Sequence, residues 1–320
     1  MNESVADIIK HQFASYDLGS LPDSKINLDD EDILLGYRED KISIGSSKEL
    51  TEGNRHRLAL IMPYIQNYIN KYNPKTLDII ISLGDILKKS YPGIPTICLS
   101  KYKDVSGILI PNIDFFTGVI YTTLKHSNND ISYDQKNNSS IFAGSSTGPF
   151  KNNTRILYGK KCLESDHHFC HISNLCQANH SSWIAEYPFI DKLVTDGCDI
   201  KSQLSHKIVV NIDGNTVCWS RLYWQMNSNS VPVYINKTDK DLQFFDYGDS
   251  SGCYVECSLE ESIQTIDAIL NSYNSNQIEE INSKGKNFCN VYFGDYLEDP
   301  EQFLQDIIND ILSKISNLNA

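Results

Sequence analysis

The sequence lacks the features that would place it in a membrane or on a nucleic acid. No run of about 18 apolar residues occurs in the 320 residues, so the sequence predicts no membrane-spanning helix. Lysine and arginine number 28 against 41 aspartates and glutamates, which gives a formal net charge of -13. An extended contact with a phosphate backbone needs a basic surface, so we expect no nucleic-acid partner. A single small anion can still be held by one or two local arginines.

A disulfide framework and a secretion signal are missing as well. The nine cysteines are odd in number and scattered, which is typical of reduced thiols in the cytosol. The N-terminal residues MNESVADIIKHQFASYD lack a basic segment followed by an apolar one, so the sequence predicts no secretion signal. We therefore expect a cytoplasmic protein.

The composition that is present indicates a globular α/β protein. Hydrophobic residues make up 40% of the chain, with 18 Tyr and 12 Phe, which is enough for a substantial core. Short apolar runs alternate with helical patterns, which predicts parallel sheets, here two of them. The polar stretch SNNDISYDQKNNSS at 127–140 is the most linker-like segment. We therefore predict two domains, residues 1–135 and 136–320, with the last helix a candidate to pack back on the first domain.

A glycine-rich turn in the second half is the first part of a candidate ligand site. The apolar run SIFAG leads into a loop that contains Gly144, Ser145, Ser146 and Thr147, and a helix with Arg155 follows. Ligands of open parallel sheets bind beyond the carboxyl ends of the strands, where helix N-termini present free N–H groups. Glycine lets the backbone approach a ligand, and hydroxyl groups can donate to phosphate oxygens. The loop therefore suits an anion.

A second turn of the same kind follows the strand HKIVVNI. It contains Asp213, Gly214 and Asn215, and Arg221 lies on the helix after it. Arginine forms charge-assisted, bidentate bonds with phosphate, so two turns with two arginines fit a diphosphate. Glycine and serine after a strand are also ordinary turn chemistry. Neither turn is a Walker loop or a G-x-G-x-x-G fingerprint, so these general motifs leave the ligand class open.

Three stretches resemble the signature of glycosyltransferase family 90. HKIVVNIDGNTVCWSRLYWQMNSNSVPVYI at 206–235 is similar to the family's lysine-led strand into NIDG, its arginine-bearing helix and its following S-V strand. FAGSSTG resembles the family's FRGSxTG loop, and DIIISLGD resembles the strand that ends in its catalytic aspartate. The resemblance covers about residues 75–295. It implies a GT-B fold, in which two Rossmann-like domains with parallel sheets face each other across a cleft.

The resemblance also implies roles for residues. The two turns would bind the diphosphate of the donor, with Arg221 neutralising the leaving group, and Asp85 would be the general base. Ala143 stands where much of the family has arginine, and LGDIL has no arginine beside Asp85. Asp78 and Asp114 are therefore kept as reserve candidates for the base. Asp78 lies at a strand start, the wrong end for a cleft, and Asp114 is a candidate for the acceptor side.

A metal site in the stretch DHHFCHISNLCQANH is an alternative function for that part of the chain. Its histidines and cysteines can be forced into zinc-like spacings, but structural zinc sites usually show paired motifs. The segment also alternates like a strand, in which cysteine packs as a small hydrophobic residue. We therefore expect core packing there and no metal site.

The resemblance to family 90 implies an inverting, metal-independent glycosyltransferase with a UDP-sugar donor. Glucose and xylose are the expected sugars, and a hydroxyl of a glycan or glycolipid, such as a capsular or lipopolysaccharide precursor, is the expected acceptor. No cofactor is expected beyond the UDP-sugar, and the sequence leaves the oligomeric state open. The alternatives are a transferase with another nucleotide sugar, a phosphotransferase, and a non-catalytic nucleotide-sugar- or glycan-binding protein of the same fold.

Overall fold

The computed structural model describes residues 1–14, 16 and 26–318. Its strands are β1 Asp32–Arg38, β2 Lys41–Ser46, β3 Thr76–Ser82, β4 Thr96–Cys98, β5 Ser100–Tyr102, β6 Ile108–Leu109, β7 Asn137–Gly144, β8 His168–Ile172, β9 His206–Ile212, β10 Val231–Ile235, β11 Asp241–Gln243 and β12 Val255–Cys257. Its α-helices are α1 Glu3–Ala14, α2 Glu52–Tyr72, α3 Ile113–Phe116, α4 Val119–Asn128, α5 Thr154–Cys162, α6 His180–Glu186, α7 Ile200–Leu204, α8 Ser220–Met226, α9 Ser262–Ser272, α10 Ser275–Glu298 and α11 Pro300–Leu318. The chain is a mixed α/β protein.

The chain divides into two compact units. Unit 1 comprises Met1–Val119, Asp239–Gly248 and Tyr292–Ala320, and unit 2 comprises Ile120–Thr238 and Asp249–Val291. This division differs from the predicted ranges of 1–135 and 136–320, because residues 120–135 group with unit 2. Two later segments group with unit 1, and one of them contains α11.

Unit 2 is built on a five-stranded parallel sheet in the order β12-β10-β9-β7-β8. The β-branched and aromatic residues of SIFAG and KIVVNI favour these strands. The chain starts at β7, moves to β8 on one side, and then returns to β9 on the other side. The order therefore reverses between β7 and β9, and this reversal is the topological switch point at which open α/β sheets bind ligands.

One face of this sheet carries the core of unit 2. Alternate residues of the central strands, such as Phe142, Val210 and Val233, point to the same face because side chains alternate along a strand. Trp183 of α6 is fully buried in this cluster, and Ile266 of α9 packs there too. The buried apolar face fixes the register of the strands, since a one-residue slip would move every core side chain to the other face.

Unit 1 contains a mixed five-stranded sheet in the order β2-β1-β3-β4-β6. Strand β1 is antiparallel to both β2 and β3, whereas β3, β4 and β6 are parallel. Helix α2 begins after its N-cap Thr51 and ends before Asn73, which adopts the left-handed conformation with φ 41°. Helix α11 packs on α2, where the hydroxyl groups of Tyr68 and Ser316 lie 3.0 Å apart.

The description of 127–140 as a linker is wrong. Helix α4 ends at Asn128, and β7 begins at Asn137. Between them the ammonium group of Lys136 donates to both carboxylate oxygens of Asp130 at 2.7 Å, with side chains 0% and 3% exposed. Lys136 also donates to the carbonyl oxygen of Leu204. Polar residues that form hydrogen bonds with each other in the interior have no hydrophobic pattern, so their burial could not be predicted from the sequence.

None of the helices among the described residues is long and apolar enough to cross a membrane.

Candidate functional site

The two predicted turns lie side by side in unit 2. One follows β7 and leads to α5, and the other follows β9 and leads to α8. Strands β7 and β9 are parallel neighbours, with Ser140 opposite Ile208 and Ile141 opposite Val209. Both turns therefore leave the same edge of the sheet at the topological switch point, which is the expected ligand position in this architecture.

Arg155 of α5 holds the two turns together. Its Nη1 donates to the carbonyl oxygen of Ser145 at 2.8 Å and to Oγ1 of Thr147 at 2.5 Å. Its Nη2 donates to the carbonyl oxygen of Ile212 at 2.9 Å, and Nε donates to that of Asp213 at 3.1 Å. The side chain was a candidate for direct contact with the donor, but these bonds give it the role of a clamp between the turns.

Glycine is required where the turns approach each other. A Cβ atom on Gly214 would lie 2.6 Å from Oγ1 of Thr147 and 2.9 Å from Nη2 of Arg155. Gly148 has φ +117°, in the region that favours glycine, and its N–H donates to Oδ1 of Asn215 at 3.1 Å. These contacts join the two turns, residues 144–148 and 213–216, into one unit, which we call the cradle.

Arg221 of α8 is the cation that remains available in this cradle. Its guanidinium group lies against the backbone of Gly144, where an added Cβ would be 2.5 Å from Nη2 and 3.1 Å from Nη1. Its Cζ lies 4.9 Å from the centre of the Phe142 ring. Nη1 is buried and has no hydrogen-bond partner among the residues that the structure describes. A buried cationic donor without an acceptor is costly, so this group is suited to an incoming anion.

Asp213 and Ser146, which were predicted to contact the donor, accept hydrogen bonds from other residues of the protein. Oδ1 of Asp213 accepts from the backbone N–H of Cys218 at 2.9 Å and from the hydroxyl of Tyr234, and Oδ2 accepts from the N–H of Thr238 at 3.0 Å. Ser146 is fully buried, and its Oγ accepts from the N–H of Cys176 at 2.8 Å. Both residues therefore support the turns, and their predicted contact with the donor stays a prediction.

Burial sets the electrostatics of the cradle. Burial, together with the nearby positive charge of Arg221, lowers the pKa of Arg155 to about 10. Burial also raises the pKa of Asp213, while its bond from Tyr234 and those from backbone N–H groups oppose the rise. Two guanidinium groups therefore share a half-buried site that contains one carboxylate. An added anion would relieve their mutual repulsion.

The predicted general base lies in unit 1, beyond the carboxyl end of β3. Oδ1 of Asp85 accepts from Nη2 of Arg57 at 2.6 Å, and Nη1 of Arg57 donates to the carbonyl oxygen of Leu83 at 2.6 Å. The Asp85 side chain is 34% exposed. The sequence has no arginine beside Asp85, but α2 brings Arg57 to it from 28 positions earlier. No local signal could have found this pair.

The reserve carboxylates lie elsewhere in unit 1. Asp78 points from β3 to Arg38 of β1, with Nη1 to Oδ1 at 2.6 Å, so it forms a cross-strand ion pair. Asp114 is in the first turn of the short helix α3, and its N–H donates to the N-cap side chain of Asn112 at 3.1 Å. Neither position improves on that of Asp85 at the carboxyl edge of parallel strands.

The histidine- and cysteine-rich stretch forms strand β8 and the loop after it. Nδ1 of His168 lies 3.0 Å from Oγ of Ser140, and its Nε2 lies 3.2 Å from Oδ1 of Asp267. Cys170 is buried on the core face. Within residues 1–14, 16 and 26–318, no group of three or more histidine, cysteine or acidic side chains is arranged to hold a metal ion.

Comparisons with known proteins add little to this geometry. No family model matches the sequence, and no curated protein matches it. The resemblance to family 90 therefore stays a prediction. Among solved structures, the chain is similar to the crystal structure of TarM, with a TM-score of 0.37 and 11% sequence identity over 69% of this chain and 54% of that one. The chain thus spans about half the length of TarM, and a likeness this distant says nothing about activity.

Proposed function

We propose that the chain is a glycosyltransferase and that the cradle in unit 2 binds the diphosphate of a nucleotide-sugar donor. The observation that carries the proposal is Nη1 of Arg221, a buried cationic donor without a partner among the described residues. It lies at the topological switch point, in space that Gly144 leaves open. The clamp through Arg155 supports the proposal, because it fixes the two turns before any ligand arrives.

The chemistry of glycosyl transfer matches these groups. As the bond from the sugar to the diphosphate breaks, negative charge grows on the leaving group. Fixed guanidinium and N–H groups stabilise that charge without having to reorganise. We propose Arg221 for this role, because Arg155 is held by carbonyl oxygens of both turns. The finer assignments of a UDP donor, of glucose or xylose, and of inversion without a metal rest on the resemblance alone.

We retain Asp85 as the proposed general base in unit 1. An acceptor hydroxyl must lose its proton as it attacks, and a positioned carboxylate typically accelerates such a step by ~10²–10⁴-fold. Arg57 fixes one oxygen of this carboxylate. The GT-B arrangement, and a glycan or glycolipid acceptor of the capsular or lipopolysaccharide kind, remain part of the proposal and are supported by the resemblance.

The proposal is tested first by nucleotide binding. A thermal-shift panel would use UDP, GDP, CMP, dTDP and ATP with the intact chain, each with and without EDTA. A ligand at 100 times its dissociation constant stabilises the folded state by ~2.7 kcal/mol. We expect UDP alone to raise the melting temperature, insensitive to EDTA, and the rise to vanish in Arg221→Ala. A rise with ATP alone would support the phosphotransferase alternative, and no rise at all would contradict the donor site.

The ion pair of Asp85 favours one second candidate, a non-catalytic nucleotide-sugar-binding protein. One oxygen of the Asp85 carboxylate already accepts from a guanidinium group at 2.6 Å, so that oxygen is engaged in an ion pair. Turnover separates the two functions. Hydrolysis or transfer from a UDP-sugar above the background of Asp85→Asn would establish catalysis, and binding without either would establish the second candidate.

A further inference from the structure

A second cavity of unit 2 lies at the opposite edge of its sheet. It has a volume of about 540 Å³, which is in the ordinary range for a small-molecule site. Lys207 is at the amino end of β9, and Tyr133 precedes β7, so the cavity opens at the amino ends of the parallel strands. The cradle with Arg221 is at their carboxyl ends. The proposed function therefore makes no use of this cavity.

The floor of the cavity is apolar and aromatic. Ile269 and Ile278, from α9 and α10, are 1% and 5% exposed and belong to the core of the unit. The rings of Tyr133 and Tyr273 are half-buried beside them. The C–H face of a saturated ring can pack against such a floor, because C–H groups have no hydrogen bonds to lose.

Two ammonium groups line the same cavity without carboxylate partners. Nζ of Lys207 lies 3.1 Å from Oδ1 of Asn138 and 5.1 Å from the centre of the Tyr133 ring. Nζ of Lys286 donates to Oδ1 of Asn229. Among the described residues neither lysine is in a salt bridge, although the chain carries a net charge of -13. Two cations that are not engaged in ion pairs can bind an anionic group of a ligand.

A buried acceptor and two carboxylates at the rim of the cavity restrict the chemical class of the ligand further. Oδ1 of Asn282 is buried without a partner among the described residues, while Nδ2 of the same amide donates to the carbonyl oxygen of Asn229 at 3.1 Å. The unused oxygen needs a hydroxyl or N–H donor. Asp134 and Glu279 are exposed at the rim and would repel a ligand with several negative charges. The ligand therefore has a ring, hydroxyl groups and one negative charge.

We propose that this cavity binds a sugar acid, a hexuronic acid unit either free or within a glycan. The carboxylate lies between the two lysines, a hydroxyl group donates to Asn282, and the ring packs on the tyrosines. The shape of the site is prepared in advance, because Nδ2 of Asn229 donates to the carbonyl oxygens of Asp130 and Ile131, both at 3.0 Å. The inference is independent of the proposed donor site.

Saturation-transfer NMR on the intact chain tests the proposal with glucuronate, glucose and glucose 6-phosphate as probes. A ligand of this size binds with a dissociation constant on the order of 1 mM. We expect saturable binding of glucuronate, little binding of the neutral glucose, and weaker binding of the doubly charged phosphate. A disaccharide of glucuronate and a neutral sugar that binds more tightly than glucuronate would identify a glycan as the source of the ligand, and equal affinity would identify a free sugar acid.

Variants decide whether the binding occurs in this cavity. Lys207→Met and Lys286→Met should each weaken glucuronate binding by about tenfold, the usual effect of losing a charge-assisted bond. Lys201→Met, an exposed lysine of α7 outside the cavity, is the matched control and should change nothing. If Lys207→Met does not fold, the exposed Lys286 decides the question alone. Unchanged binding in Lys286→Met, equal binding of glucose, or displacement of glucuronate by UDP would each overturn the proposal.

Discussion

Replacement of Gly144 by alanine should weaken nucleotide binding while leaving the fold intact. The added Cβ would lie 2.5 Å from Nη2, 3.1 Å from Nη1 and 3.2 Å from Cζ of Arg221, so the guanidinium group must leave its place. It is the end of a flexible side chain, and the Gly144 backbone is outside the left-handed region, so the stability cost should be about 1 kcal/mol or less. The lost charge-assisted bond is worth ~1.5–3 kcal/mol, which raises the dissociation constant for UDP about 10- to 150-fold.

A double-mutant cycle shows whether this loss occurs through Arg221. Calorimetric affinities for UDP would be measured for the unmodified chain, Gly144→Ala, Arg221→Ala and the double variant. If alanine acts only by displacing the guanidinium group, the double variant should bind no more weakly than Arg221→Ala alone. Gly45→Ala is the matched control, since nothing lies within 4 Å of a Cβ atom at that position. Unchanged affinity in Gly144→Ala, or additive losses in the cycle, would refute the reasoning.

Four further predictions follow from other contacts. Arg155→Met should lower the free energy of unfolding in urea by about 3 kcal/mol, because carbonyl oxygens of both turns lose their donor. Asp85→Asn should reduce sugar transfer by ~10²-fold or more, with the calorimetric affinity for UDP preserved. Asp130→Ala should cost ~3–5 kcal/mol of stability, because it leaves Lys136 buried and unpaired. Burial lowers the pKa of His206 from 6.5 to about 4, so the neutral form is favoured in the folded state. The stability that this burial provides is present above pH 6.5 and should decline as the pH falls toward 4, measured as the urea midpoint at pH 7 and pH 5, with a smaller decline in His206→Gln.

Matched control variants distinguish these specific effects from a general loss of folding or stability. Asp78→Asn breaks an exposed ion pair on β3, the strand that precedes Asp85, and should leave transfer unchanged. Equal losses in both aspartate variants would remove Asp85 as the base. Asp30→Ala breaks an exposed pair with Lys48 and should cost less than about 1 kcal/mol. A similar cost for Asp130→Ala would show that its pair is not buried in solution. A pH profile that His206→Gln does not alter would assign the titration to other groups.

The local elements of the site could be predicted from the sequence. The chain is a strand before each turn, at Asn137–Gly144 and His206–Ile212, because β-branched and aromatic runs favour extended backbone. Asn153, a residue type that favours the N-cap position, caps the helix after the first turn by accepting from the N–H of Ile156 at 3.2 Å. These features depend on neighbours in sequence, which a local pattern records.

The partners within the site could not be predicted in the same way. Arg155 was predicted to contact a phosphate, and the structure shows that it also joins the carbonyl oxygens of Ser145 and Ile212, the second of which lies 57 positions after it. Arg57 reaches Asp85 across 28 positions, and Asp130 pairs with Lys136 inside a stretch that reads as solvent-exposed. Side-chain hydrogen bonds of this kind carry no hydrophobic period, so pattern reading cannot detect them.

The sequence by itself determined that two glycine-bearing turns follow apolar strands and that an arginine lies on the helix after each. Only the tertiary structure decided that β7 and β9 are neighbours, which brings the two turns to one edge of the sheet. It also decided that Arg221, and not Arg155, keeps a buried donor without a partner among the described residues. The physical reason is that strand order is set by how helices and strands bury their apolar faces together. That choice is global, whereas the propensities of a strand or a turn are local.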